Sequence, residues 1–220
     1  MRLNKYIAAH TTNSRRKADE LIARGSVTIN GQTAGLGTRV QDTDKVFIDQ
    51  KLVRPRVLEA AVTLMLNKPV GYVCSRKGQG APTVYSLIPL KYHHLDIVGR
   101  LDKASSGLLL LTSDGALHQQ LTHPSYQKEK VYHISLDKPL ITEHITSIKT
   151  GVQLKDGPSK LQIKSLQGQG KLWEVRMHEG RNRQIRRTFA VLGYDVLSLE
   201  RLRFGDHTLG DLASGIFKVI

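Results

Sequence analysis

Gly99-Arg100-Leu101-Asp102-Lys103-Ala104-Ser105-Ser106-Gly107-Leu108-Leu109-Leu110-Leu111-Thr112 is the stretch on which the reading of this 220-residue chain turns. Apolar residues at 95–98 lead into a Gly-Arg-Leu-Asp loop, a Ser-Ser-Gly turn follows, and four leucines in a row read as a buried strand. An acid between two buried strands sits on a rigid frame, which suits catalysis. The same spacing fits a turn aspartate that caps backbone amides. On spacing alone the two readings stand level.

Outward from this stretch, strand-like runs at 64–66, 72–74, 108–111, 131–136, 161–163 and 175–177 alternate with helical patterns at 116–121, 142–149 and 182–192. In the last helix Ile185, Phe189 and Leu192 form the apolar stripe and Gly193 marks the stop. The expected architecture for residues 61–220 is an α+β domain on a mixed, mainly antiparallel sheet. Residues 51–59, with Pro55 between Arg54 and Arg56, read as a linker.

Residues 1–58 have a different grain. Leu3, Tyr6 and Ile7 have the spacing of a short amphipathic helix. Ser14 is a good N-cap for a second helix carrying Ala18, Leu21 and Ile22, with Gly25 where that helix would stop. Val27 and Ile29 alternate with polar residues, Asn30-Gly31 signals a tight turn, and Val46-Phe47-Ile48 reads as a further strand. Arg15, Arg16 and Lys17 fall in the first turn of the second helix, where cations cost a few tenths of a kcal/mol each. A phosphate bound at the helix start would reverse that penalty.

Charge points the same way. Thirty-three Lys and Arg against 19 Asp and Glu give a net +14. Residues 1–58 hold 11 of those basic residues and 5 of the acidic ones. Such an excess repels itself in the compact state and favours a polyanionic partner. No apolar run is long enough to span a membrane, and residues 1–6 lack the apolar core of a signal peptide, so a cytoplasmic location is expected. One cysteine, Cys74, excludes an internal disulfide and a Cys-based zinc cluster. Neither a glycine-rich phosphate loop nor a Gly-x-Ser-x-Gly elbow is present, and the nine histidines form no His-Glu-x-x-His helix. No cofactor and no metal are expected.

Arg2-Leu3-Asn4-Lys5-Tyr6-Ile7, Ser14-Arg15-Arg16-Lys17-Ala18 and Gly25-Ser26-Val27-Thr28-Ile29-Asn30-Gly31 resemble the alpha-L RNA-binding motif of a small-subunit ribosomal protein. The resemblance implies RNA contacts by Arg2, Lys5, Arg15, Arg16 and Lys17. Gly99-Arg100-Leu101-Asp102 with Ser106-Gly107-Leu108-Leu109-Leu110-Leu111-Thr112 resembles the signature of the RsuA branch of pseudouridine synthases. Leu66-Asn67-Lys68-Pro69-Val70-Gly71, Lys130-Val131-Tyr132 and Gly180-Arg181-Asn182-Arg183-Gln184-Ile185-Arg186-Arg187 occur in that family's order.

This second resemblance implies isomerisation of uridine to pseudouridine in ribosomal RNA, by a monomer, on free RNA or an assembly intermediate. It implies Asp102 as the catalytic carboxylate, Arg186 as its cationic partner and Tyr132 as the aromatic face for the uracil. Lys68, Arg100, Arg181, Arg183 and Arg187 are then expected on the RNA. Residues 151–158 and 179–183 look closer to relatives acting on the large subunit, and residues 66–75 closer to the small-subunit enzyme; large-subunit RNA is favoured. The alternatives are a small-subunit or transfer-RNA substrate, or a non-catalytic RNA-binding or ribosome-assembly factor on the same fold.

Overall fold

The computed structural model describes residues 1–54, 60–78, 80–166 and 169–220. Chain contacts divide it into two compact units, Met1–Ala60 and Ala61–Ile220.

In the first unit, helices α1 (Leu3–His10) and α2 (Arg15–Ala23) precede strands β1 (Val27–Ile29), β2 (Gln32–Thr33), β3 (Val46–Ile48) and β4 (Lys51–Leu52). Leu3, Ile7, Ala18, Leu21 and Ile22 close one core with Val27, Val40 and Val46. Ser14 Oγ accepts the Lys17 amide at 3.2 Å, the cap its sequence position promised. Asn30 and Gly31 both take positive φ, +52° and +86°, as a two-residue hairpin of this kind requires. The strands run in the order β2-β1-β3-β4. Lys51–Leu52 corrects the expected linker. Both residues pair back onto β3 across Asp49 and Gln50, two left-handed residues that no glycine announces. Val53 and Arg54 follow β4, and residues 55–59 of the expected linker lie outside the described residues.

The second unit contains β5 (Thr63–Lys68), β6 (Asp96–Val98), β7 (Ser106–Thr112), α3 (Gly115–Thr122), β8 (Lys130–Leu136) and α4 (Thr142–Thr150). There follow β9 (Val152–Leu154), β10 (Gly157–Ser159), β11 (Gln162–Ser165), β12 (Leu172–Met177), α5 (Gln184–Val191), β13 (Val196–Phe204), β14 (His207–Thr208) and β15 (Phe217–Val219). One mixed sheet runs β11-β12-β8-β13-β7-β5-β15, with β6 beside β7 and β14 beside β13. Among the described strands of this sheet, only β13 and β7 pair in parallel.

The leucine run owes its character to burial on both faces. Leu109 and Leu111 pack with Leu64, Leu66, Val84 and Leu95 on one side. Leu108 and Leu110 pack with Met65, Val98 and Phe204 on the other. Gly107, φ +99°, lies where β7 meets β13; a Cβ there would stand 2.3 Å from the Arg201 carbonyl oxygen. Only glycine permits that approach.

Three further expectations are corrected. Residues 72–74 make a single bridge, Val73 to Thr83, because the left-handed Gly71 turns the chain away after β5. The helix expected from Asn182 starts at Gln184, because Arg183 has φ +47°. The longest strand, β13, and the β9–β10 hairpin were not anticipated at all.

Candidate active site

Asp102 stands on the loop between β6 and β7, and its neighbours are fixed through their backbones. The Leu101 amide donates to Cys74 Sγ at 3.4 Å. The Lys103 carbonyl accepts from the Gly71 amide at 2.8 Å, and the Ser105 amide donates to the Asp102 carbonyl at 3.0 Å. The Ala104 carbonyl accepts from Arg186 Nη2 at 2.8 Å. The Ser105 carbonyl accepts from Lys68 Nζ at 2.6 Å. The carboxylate itself is accessible, with 38% of its side chain exposed.

This loop forms one wall of a cavity of about 1260 Å³, which Arg100, Asp102, Tyr132, Arg183, Arg186 and Arg201 help to line. Small-molecule pockets hold roughly 300–1,000 Å³, so this cavity has room for part of a polymer. Tyr132 is 8% exposed and packs on the core while facing the cavity.

The arginines expected here divide by what they touch. Arg183 Nη1 lies 3.9 Å from Asp102 Oδ2, the one ion pair of that carboxylate among the described residues. Arg183 reaches it from a left-handed backbone, a conformation costing a non-glycine residue of order 1 kcal/mol. Arg186 binds no carboxylate directly. Its Nη2 holds the Ala104 carbonyl and its Nη1 the Val196 carbonyl. Burial, then the Arg183 charge, lowers the Arg186 pKa, and Asp102 opposes them. Arg186 thus braces the Asp102 loop, while Arg183 faces the carboxylate.

Lys68, Arg181 and Arg187, expected on the RNA, are bonded within the protein. Lys68 is fully buried, its ammonium held by the Pro69 and Ser105 carbonyls. Burial lowers its pKa against the pull of Cys74 and Asp102. Arg181 Nη1 donates to the Asp156 and Gly157 carbonyls and to Asp156 Oδ1, and its Nη2 to the Pro158 carbonyl. Arg187 grips the Asp156 carboxylate with two bonds of 2.9 Å and gives Nε to the Asn182 carbonyl. These two guanidiniums strap the β9–β10 hairpin to the segment that carries Arg183. Arg100 is exposed at the cavity, and Arg2, Lys5, Arg15, Arg16 and Lys17 are exposed in the first unit.

Among the cavity residues to which the sequence reading gave no role are Lys130 and Arg201. Lys130 could have been found: it lies two positions before Tyr132 on one strand, so both face the same way. Arg201 lies on β13, where no strand was expected.

Comparison with known proteins agrees with this arrangement. Residues 1–54 match the S4 domain, and residues 62–191 match the family described as RNA pseudouridylate synthase. Ribosomal large subunit pseudouridine synthase B of Pseudomonas aeruginosa is 37% identical over 212 residues, covering 93% of this chain and 55% of that protein. This chain therefore spans about half the length of that relative. The Escherichia coli (strain K12) protein of the same name is 37% identical over 214 residues, covering 93% of this chain and 74% of its own length. A crystal structure of a pseudouridylate synthase superposes with a TM-score of 0.71 at 30% identity, over 100% of this chain and 96% of that one. The family match covers more than half of the sequence and the superposition spans all of it, and the chain belongs to the RNA pseudouridylate synthase family.

Proposed function

We propose that this chain isomerises uridine to pseudouridine in ribosomal RNA, with the large subunit as its substrate class. One observation carries the reading: Asp102 is presented from a loop locked by its neighbours' backbones, beside Tyr132 and two guanidiniums, in a cavity wide enough for RNA. The relatives' names support large-subunit RNA.

In this reading residues 1–58 are the RNA-binding module and 61–220 the catalytic domain, acting as a monomer in the cytoplasm on free RNA or an assembly intermediate. Asp102 is the reacting carboxylate, and Arg183 and Arg186 supply its positive surroundings. Tyr132 gives the flipped base an aromatic face, where stacking returns roughly 1–3 kcal/mol of the flipping cost. Arg2, Lys5, Arg15, Arg16, Lys17 and Arg100 meet phosphates. Uridine and pseudouridine are isomers, so the reaction balances without a cofactor.

The test incubates the chain and Asp102→Asn with unmodified transcripts of bacterial large- and small-subunit ribosomal RNA and maps pseudouridine. Formation at a defined large-subunit position by the wild type alone is expected. RNA binding without product would favour the non-catalytic factor, and turnover by Asp102→Asn would remove the carboxylate from the chemistry.

A further inference from the structure

Two cations lining the cavity have no counter-charge among the described residues. Tyr132 on β8 is the register partner of Arg201 on β13, so their side chains stand side by side. Lys130 shares that face. Arg201 is 1% exposed, its Nε donates to the Leu108 carbonyl at 2.8 Å, and its Nη2 is buried with no hydrogen-bond partner. Lys130 Nζ donates to the Lys128 and His178 carbonyls at 3.2 and 3.0 Å. Both lie over the Phe204 ring, at 4.7 Å for Arg201 and 5.2 Å for Lys130. Among the described residues neither forms an ion pair. Burial, then the Arg201 charge, lowers the Lys130 pKa to about 8. Paired cations in a recess are unfavourable until an anion joins them.

Substrate RNA offers two kinds of anion, a phosphate and the uracil ring during its transfer. A phosphate is bulky, is strongly hydrated and carries chain on both sides, so it suits the exposed cations of the rim. The recess is narrower. Gly99, φ +66°, closes over it, and a Cβ there would stand 3.2 Å from Phe204 Cε1 and 4.0 Å from Arg201 Nη1. A flat carbonyl edge beside Tyr132 fits that slot.

Building on the proposed reaction, we infer that Arg201 and Lys130 form a cationic recess for the oxygen edge of the uracil while the ring carries an added electron pair. If Asp102 bonds C1′ as the C1′–N1 bond breaks, that bond's pair stays on uracil, spread over N1, O2 and O4. In the return step C5 bonds C1′, the Asp102 oxygen leaves with its own pair, and the C5 proton passes to N1. If Asp102 adds to C6 instead, the C5–C6 π pair moves toward O4. If it takes the 2′ proton, a C1′–C2′ double bond forms as N1 leaves with its pair. The ring is anionic in all three routes, so the recess serves whichever one operates. Preorganised donors aimed at developing charge are effective where water is excluded.

The experiment measures single-turnover pseudouridine formation at saturating enzyme, and RNA affinity across salt, for the wild type, Arg201→Met, Arg201→Lys and Lys130→Met, on the transcripts named above. Arg201→Met and Lys130→Met should each slow the reaction about 100-fold with affinity nearly unchanged, and Arg201→Lys should recover part of the loss. Weaker binding and a shallower salt dependence with an undiminished saturated rate would assign the recess to phosphate and overturn the inference. Should Arg201→Met fail to fold, Lys130→Met decides alone, and a wild-type rate in it overturns the inference. An active wild type with fully active variants defeats only the recess. A wild type that forms no pseudouridine on either RNA defeats the proposed function and the recess with it.

Discussion

Each unit carries a cluster of cations, and the two are built in opposite ways. At the start of α2, Arg15 and Arg16 are exposed with no side-chain partner among the described residues, and Lys17 reaches only Glu20, 2.9 Å away on its own helix. Between residues 181 and 187 the donors are largely consumed by the protein. Asp156 alone takes bonds from Arg181 and Arg187, and its carboxyl is held below the usual range chiefly by Arg187. Sequence density of arginine is therefore a poor guide to how many guanidinium donors the fold leaves unbonded. What decides is whether an acceptor from elsewhere in the chain arrives first, and surface cations left over are the ones available to phosphate.

The comparison is broken most severely at the frame behind the second cluster. Gly107→Ala would place a Cβ 2.3 Å from the Arg201 carbonyl oxygen and 2.6 Å from its nitrogen, between two central strands. A loss of more than about 4 kcal/mol in urea denaturation is expected, among the largest a single substitution causes. A wild-type midpoint would show that β7 and β13 can separate at little cost.

Next in size is the bracing arginine. Arg186→Met removes the bond to the Ala104 carbonyl and leaves a cavity beside Asp102, so single-turnover rate should fall roughly 10²–10³-fold with RNA affinity retained. Arg183→Met, losing one solvent-exposed pair at 3.9 Å, should cost about tenfold. The reverse order would make Arg183 the essential partner of Asp102. Asp156→Ala, which removes the carboxylate shared by Arg181 and Arg187 and leaves their backbone bonds in place, should lower the rate about tenfold by loosening the hairpin strap. If RNA affinity rises in that variant instead, the donors released from the carboxylate have turned to phosphate.

Legibility followed burial. The strand β7 could be read because both its faces are covered, giving an unbroken apolar run. β13 could not, although it is longer. Its exposed Leu197, Ser198 and Arg203 alternate irregularly, and register shifts at 196/198 and 201/203 break the period of two. Arg201 therefore went unread as a sheet-interior cation. Lys68 was expected on RNA through the family resemblance, and nothing in the sequence marks it as buried; its ammonium replaces water with the Pro69 carbonyl and the Ser105 carbonyl of the Asp102 loop. Asp102 and Tyr132 were singled out through the family resemblance, and the structure places both at one cavity. The Arg183 approach depends on a left-handed residue, and no glycine or asparagine marks it in the sequence.

A smaller effect follows from Lys130, whose buried ammonium contrasts with the solvated cations of the first unit. Its folded pKa, about 8, lies below the ordinary lysine value of 10.5. Below pH 8 both folded and unfolded chains hold the proton, and the burial penalty is present in full. Between about 8 and 10.5 the unfolded chain binds more protons, so stability rises with pH and the penalty is relieved. The stability advantage of Lys130→Met over the wild type should therefore shrink across that window in chemical denaturation. A difference that stays flat from pH 7 to 10.5 would show that Lys130 keeps an ordinary pKa.

The smallest expected change tests the open cluster of the first unit. Ser14 Oγ satisfies the Lys17 amide, while no acceptor among the described residues takes the Arg15 and Arg16 amides, so α2 begins with two open donors and two exposed guanidiniums. That is a good seat for a phosphate, and the like charges crowded at the positive end of the helix favour its arrival. Arg15→Gln and Arg16→Gln should each weaken RNA binding modestly and reduce the slope of log affinity against log salt by about 0.7–0.9. Rates at saturating enzyme should not change, because nothing at Asp102 is touched. The same substitution at Arg187 should do the reverse, lowering the saturated rate with little effect on the slope, since its donors already belong to Asp156. Equal salt slopes for the wild type and the α2 variants would mean that phosphates do not sit there, and that exposure by itself does not mark the RNA-contacting cations of this chain.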